Sequence, residues 1–490
     1  MLHRGCAILC FLALSASAGE VRPRASVTSS AHQNLPITTS SRMAREKFES
    51  AMKNLEYMRR DQALADLRQS VMADPSFAQA HIMISHLSHD PAEQASARTR
   101  AKELALHVSR GERLLITWMA EVQESNYVPA IAAMNDLLGM YPRDQRLQFL
   151  AGRWLVERER YAQAIVLLEK AVALAPNYPA SINELGYAYA FSGDFQKGFA
   201  QMERYIALEP NQPNPHDSYG ELLRLAGKFD EALAQYRLSI QIDPNFGSEL
   251  GVADTYAVMG NEAAAREEYE RAIVFAVDEG DKIEYELQSA ITWIRENNPP
   301  EANRALRVVA KHAHTAGLAA WEAEAYLTLA LYEPDGKSAL KSMGQAEAAL
   351  GEHQISESDR NDKLARISWV RAMRAVQGQD LGAGESAVRE LQELSERTRA
   401  QTVERCYHAA SGAVLEAKGK HDEASEQLLE DEGNPFSMRL LWQIYRSAGQ
   451  TRKAEEVASK LSRLNVPTLE QALVVPAFRT QLVSEARPQP

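Results

Sequence analysis

The sequence predicts an all-α fold, a solenoid of stacked helix-turn-helix repeats. Two observations point there. Pro142, Pro176, Pro210 and Pro244 stand 34 residues apart, each with a small residue twelve positions earlier (Ala130, Ala164, Gly198, Ala232). Eight positions before them come Met134, Leu168, Met202 and Tyr236, and five before come Leu137, Ala171, Tyr205 and Ser239. A fixed period of this length marks a repeat architecture rather than one globular core. The second observation is composition: 490 residues, 45% hydrophobic and 24% charged, with only 25 glycines and 20 prolines, favour a folded helical chain. A formal charge of -12 without basic clusters argues against nucleic acid, whose phosphates require Lys and Arg on one face.

In chain order, residues 1–18 read as a secretory signal peptide. Arg4 precedes a short apolar run from Cys6 to Leu14, and Ala16-Ser17-Ala18 forms a small-x-small cleavage site. The run is too short to span a bilayer, so cleavage after Ala18 would leave no transmembrane segment and a periplasmic or secreted protein. Cleavage would also remove Cys6 and Cys10. Cys406 would then be the sole cysteine, without an internal disulfide, and it reads as a small buried hydrophobe. Residues 19–42, rich in Ser, Thr, Pro and Ala, read as a flexible linker.

Residues 43–278 form the expected array of about six repeats. Ala51, Ala63, Leu67, Ser70 and Pro75 fall at the offsets of the later units, and a worn unit with Ala97, Ala101 and Leu104 follows. Gly193, Gly227 and Gly260 supply tight turns between paired helices. Pro176, Pro210 and Pro244 stop the second helices, because proline lacks an N–H and clashes with the preceding turn. From 279 to 465 the register degenerates while apolar residues keep helical spacing, and Gly419 with Ala424 recurs as Gly449 with Ala454. The stretches 331–336 and 353–362 read as longer connections, 466–490 as a C-terminal tail, and its last five residues, Ala-Arg-Pro-Gln-Pro, as frayed.

The segments "LAGRWLVERERYAQAIVLLEKAVALAPNYP", "ELGYAYAFSGDFQKGFAQMERYIALEPNQP" and "SYGELLRLAGKFDEALAQYRLSIQIDPNF" resemble the tetratricopeptide repeat family, here of a bacterial exported type. The family's small first-helix residue matches Gly152, Gly186 and Gly220. The resemblance implies a right-handed superhelix whose hollow side, lined by first helices, binds an extended peptide or a partner helix. It places inward Arg146, Arg153 and Glu157, then Asn183, Glu184 and Tyr187, then Asn214, Asp217, Ser218, Glu221 and Arg224, and then Asp254. Some family members clamp a C-terminal carboxylate with Lys, Asn and Arg. The matching positions here are Phe149, Arg153, Glu184, Asn214 and Ser218; Glu184 would repel a carboxylate, so that clamp is not expected. The mixture of acids with Tyr187 favours another protein or peptide of basic or polar character.

No phosphate loop, zinc-binding H-E-x-x-H helix or nucleophile elbow occurs, and no cofactor fingerprint. His81, His86 and His89 cluster without an evident fourth metal ligand and read as structural or surface residues. The six tryptophans read as packing residues. The expectation is therefore a non-catalytic interaction scaffold. The alternative is an accessory or regulatory subunit of an enzyme, or a hydrolase-like or metal-binding activity in the C-terminal half, where the longer connections could carry functional groups.

Overall fold

Helix starts follow the capping chemistry of the chain. Ser41 Oγ accepts the Ala44 N–H, and the Asp90 carboxylate accepts from Ala92 and Glu93. Ser109 and Glu112 form a reciprocal capping box, and Asp144 accepts from Arg146 and Leu147. Pro179, Pro213, Pro299 and Pro435 sit in the first turn, where a missing N–H costs nothing. At the hairpin turns Gly193, Gly227 and Gly260 adopt φ of 94°, 79° and 84°. Ser125, Glu159, Asn297 and Gln379 also take left-handed φ values, between 51° and 58°. Each costs about 1–2 kcal/mol, which the packing of the two helices offsets.

The computed structural model describes residues 34–486, except 58, 89, 277, 353, 354 and 399. The signal peptide, most of the linker and His89 lie outside the described residues. Seven hairpins occupy the stretch read as about six repeats. They are α1 (Arg42–Glu56) with α2 (Arg60–Ala73), α3 (Ala78–Leu87) with α4 (Pro91–Leu104), α5 (Arg110–Gln123) with α6 (Tyr127–Met140) and α7 (Gln145–Glu157) with α8 (Tyr161–Leu174). Then come α9 (Pro179–Phe191) with α10 (Phe195–Leu208), α11 (Pro213–Leu225) with α12 (Phe229–Ile242) and α13 (Glu249–Met259) with α14 (Glu262–Val274). Five less regular hairpins follow: α15 (Glu279–Arg295) with α16 (Pro299–Thr315), α17 (Ala319–Tyr332) with α18 (Gly336–Glu352), α19 (Glu357–Gln377) with α20 (Leu381–Thr398), α21 (Gln401–Ala417) with α22 (His421–Leu429), and α23 (Pro435–Ser447) with α24 (Thr451–Ser462). A single helix, α25 (Leu469–Ala486), ends the array. No strand occurs among the described residues.

The repeating positions form the core. Ala164, Leu168 and Ala171 are fully buried, as are Met202 with Tyr205 and, in the next unit, Ala232 with Ser239. Consecutive first helices touch one another (α7 with α9, α9 with α11, α11 with α13), which puts them on the tighter, hollow side of the curve.

Four stretches differ from their sequence reading. Residues 35, 38 and 39, assigned to the linker, are hydrogen-bonded to the helices: Leu35 N–H to Asp144 (2.7 Å), Thr38 N–H to Glu112 (2.8 Å) and the Thr39 hydroxyl to Asp74 (2.5 Å). The stretch read as a tail forms α25, with Leu469, Ala472, Val474, Val475 and Phe478 buried against α15, α23 and α24. Pro476 stands inside it, so the helix loses the donor that would meet the Ala472 carbonyl and keeps its shape through that packing. The connection read at 353–362 is already helical from Glu357, where Ser356 caps α19, and the one at 331–336 shrinks to residues 333–335.

The curve is tight enough for distant turns to meet. Tyr57 Oη donates to Glu209 (3.1 Å) and Arg59 to Gln212 (3.3 Å), joining α1 and α2 to the α10–α11 junction. Arg405 of α21 pairs with Glu159 (3.0 Å), and Gln401 donates to the Arg158 carbonyl (3.0 Å). Among the described residues no helix is long and apolar enough to cross a membrane.

Candidate interaction groove

The groove is built from the inner faces of α7, α9, α11 and α13. Gly152, Gly186 and Gly220 carry these first helices close to their partners. A Cβ at Gly152 would lie 2.6 Å from Leu168 Cγ, at Gly186 2.7 Å from Met202 Cε, and at Gly220 3.0 Å from the Tyr236 ring. The same contact therefore recurs in successive hairpins at 34-residue intervals. The fold is tetratricopeptide-type.

No family model matches the chain, nor does any curated protein. Solved structures similar to it include the APC/C hetero-tetramer Cut9–Hcn1, at 16% identity over 82% of this chain and 76% of that one, TM-score 0.41. A tetratricopeptide repeat protein from Parabacteroides merdae is 12% identical over 50% of this chain and 97% of its own, TM-score 0.37. A thermophilic tetratricopeptide repeat protein from Thermus thermophilus is 20% identical over 41% of this chain and 92% of its own, TM-score 0.27.

The residues the sequence placed inward divide into two groups in the tetratricopeptide groove. On α9, α11 and α13 they bond to one another, to residues of neighbouring helices and, through Arg224, to the link before α25. Tyr187 Oη donates to Glu221 Oε2 (2.7 Å), and Arg224 Nη2 approaches Glu221 Oε1 (3.4 Å). Arg224 is almost fully buried, and its Nη1 donates to the Asn465 carbonyl (2.8 Å) in the link between α24 and α25. Asp217 accepts from Ser248 Oγ (2.6 Å), and Asp254 accepts from Tyr269 Oη (2.7 Å). Ser218 is buried on the same face, and Asn214 Nδ2 donates to Tyr205 Oη (2.8 Å). Burial pushes the Asp217 carboxyl up to about 6, against the pull of the Ser248 hydroxyl. Burial also raises Asp254, although Arg224 opposes it. The Tyr187 hydroxyl is raised by burial and by the nearby Glu221 charge.

The second group, on α7 and the start of α9, stays open. Arg146 is exposed, and the Arg153 and Glu157 side chains keep 42% and 34% of their surface, with Nε to Oε1 at 3.5 Å. Glu184 faces them; burial pushes its carboxyl up to about 7, with Arg153 pulling down and Glu157 pushing up. The Asn183 side-chain oxygen is shielded from solvent without a hydrogen-bond partner.

The C-terminal half holds features the sequence did not single out. Arg366 pairs with Glu324 (3.0 Å) and with Glu470 of α25 (3.2 Å), and Lys363 pairs with Glu324 (2.6 Å). Burial disfavours the Glu324 charge, yet Arg366 and Lys363 together hold its carboxyl down to about 2. A cavity of about 70 Å³ lies between Arg366, Trp369, Arg405 and Cys406. Burial pushes the Cys406 thiol up to about 12, so it stays protonated and unreactive. Among the described residues no group of three or more His, Cys, Asp or Glu side chains is placed to hold a metal. His81 is tied to the Pro75 carbonyl (3.0 Å), while His312 bridges Glu279 and Glu286 (both 2.8 Å). Trp118, Trp154, Trp369 and Trp442 are packed in hydrophobic clusters.

Proposed function

We propose that this chain is a non-catalytic interaction scaffold that receives a basic or polar segment of another protein in the groove. The observation that supports this is the division of the groove. Asp217, Glu221, Arg224 and Asp254 are bonded within the chain, whereas Arg153 and Glu157 stay accessible on one wall beside half-buried Glu184. The Glu157 and Glu184 carboxyl groups can accept from a cationic or amide-rich visitor, whose donors would replace the water around them. An exported location, with the mature chain beginning after Ala18, belongs to the same reading; N-terminal sequencing of the protein from its native compartment checks it.

The test is capture of partners from that compartment with the mature chain and with a Glu157→Lys, Glu184→Lys variant. A bound partner should be lost from the variant while the far-ultraviolet circular dichroism of the two proteins stays the same. Equal capture by both would overturn the assignment of the groove. The alternative, an accessory subunit acting through its C-terminal half, draws on the polar cavity beside Arg366. It would be favoured by a partner whose capture depends on Arg366 and is indifferent to Glu184.

A further inference from the structure

The N-terminal ends of α3, α5 and α7, with the end of α2, form a second recognition surface that is independent of the groove. Four side chains make it: Asp74, Gln79, Glu112 and Asp144. Glu112 is completely buried, and Gln79 and Asp144 are 3% and 5% exposed. Residues 35–39, Leu-Pro-Ile-Thr-Thr, lie along it in the way a bound peptide would.

Contacts alternate between polar and apolar. Leu35 N–H meets Asp144 Oδ2 (2.7 Å), the Pro36 carbonyl accepts from Gln79 Nε2 (2.7 Å), and Thr38 gives both its N–H (2.8 Å) and its hydroxyl (2.5 Å) to the two oxygens of Glu112. The Thr39 hydroxyl reaches Asp74 (2.5 Å), and Arg45 Nη2 holds the Ile37 carbonyl (2.9 Å). Leu35 fills the space above Gly111, where an added Cβ would lie 2.8 Å from Leu35 Cδ1, and Ile37 packs on the cluster around Phe48 and Phe77. Proline at 36 has no N–H and therefore needs no acceptor there.

The receptor and the segment differ in depth. Gln79, Glu112 and Asp144 are buried and Asp74 is half-buried; Gln79 also bonds Glu112 (3.0 Å), and Glu112 also holds Ser109. The segment lies shallow: Leu35 and Ile37 are half-buried at the edges of the neighbouring helical cores, and Thr38 is exposed. Side chains that brace one another beneath a partly exposed occupant suit exchange of that occupant better than a permanent structural role.

We propose that this surface recognises extended segments of the pattern apolar-Pro-apolar-Thr, that residues 35–39 are its built-in ligand, and that a partner protein's segment of the same chemistry displaces them. Occupancy by the resident segment lowers the apparent affinity for the visitor by the fraction of molecules in which the site is empty.

The experiment uses the full chain and a labelled peptide, Asn-Leu-Pro-Ile-Thr-Thr-Ser-Ser-Arg, copied from residues 34–42. Leu35→Asp with Thr38→Asp sets carboxylates against Asp144 and Glu112 and should release the resident segment, read as faster hydrogen exchange at 34–41. The released variant should bind the peptide at least about tenfold more tightly than the natural chain. Adding Glu112→Gln should undo most of that gain, and a scrambled peptide should not bind. A second measurement needs no variant: excess peptide added to the natural chain should speed exchange at 34–41. Equal binding to both chains, no binding to a released variant, or a segment that stays protected in the presence of excess peptide overturns the proposal. Dimerisation of the natural chain through exchanged segments would assign the surface to a second copy and overturn the partner assignment.

Discussion

At the scale of single residues, the small positions on the first helices carry a packing constraint that a substitution can expose. Gly152→Leu should cost about 1–3 kcal/mol, because Leu168 already fills the space a side chain would need. A urea midpoint equal to that of the natural chain would refute the contact. Glu184 carries a pH signature. Its carboxyl is raised above the ordinary value of 4.5 to about 7, so the folded state binds its proton more tightly than the unfolded state does. Stability from this group is therefore present at low pH and falls as pH rises between those two values. Glu184→Gln should match the natural chain near pH 4.5 and be the more stable of the two above pH 7, in denaturant titrations at both pH values. Parallel pH profiles for the two proteins would sink this assignment. Glycine and glutamate were both visible in the sequence as residue types at set offsets. What Glu184 feels from Arg153 and Glu157 was not, because field strength depends on depth in the groove.

At the scale of elements, α25 shows how a local rule can mislead. Leu469, Ala472, Val475 and Phe478 recur at three-residue steps, a helical pattern, yet the stretch after Val466-Pro467 reads as a tail, and Pro476 inside it counts against a helix. Packing overrode the proline. Phe478 is fully buried against Trp442, ring centroids 4.9 Å apart and nearly perpendicular. Phe478→Ala should cost about 3–5 kcal/mol, measured by chemical denaturation. A change below 1 kcal/mol would mean that α25 does not close the array. The segment 35–39 is the opposite case. Its composition is that of a linker, and bonds from Asp74, Gln79, Glu112, Asp144 and Arg45 together with the packing of Leu35 and Ile37 convert it into ordered structure.

For the whole molecule, solenoid stability is ordinarily a sum of neighbour terms, so an array can melt piecemeal. Here contacts between distant turns add coupling. Arg405 is paired with Glu159 from α7's end (3.0 Å) and with Asp431 (3.0 Å), in surroundings where Asp431 is only 3% exposed. Removing one partner of such a pair strands a buried charge, so Arg405→Ala should cost about 3 kcal/mol. It should also uncouple the C-terminal hairpins from the N-terminal ones, turning one calorimetric transition into two. A single sharp transition in the variant would show that the meeting of the turns contributes no cooperativity. The same closure decided the fate of the groove, since the Arg224 guanidinium that the repeat register offered to a partner is held by the carbonyl of Asn465.

By itself the sequence determined the helices, their pairing, the turns and the face each hairpin buries, because these depend on residues within about 34 positions of one another and on capping, proline and glycine chemistry. Only the tertiary structure decided which inward side chains remain available, that α25 closes the C-terminal end, and that residues 35–39 occupy a site of their own. Those outcomes turn on the summed curvature of many hairpins, which brings residue 224 to residue 465 and residue 159 to residue 405. Small rotations between neighbouring repeats accumulate into that curvature, and no single repeat's sequence contains the total.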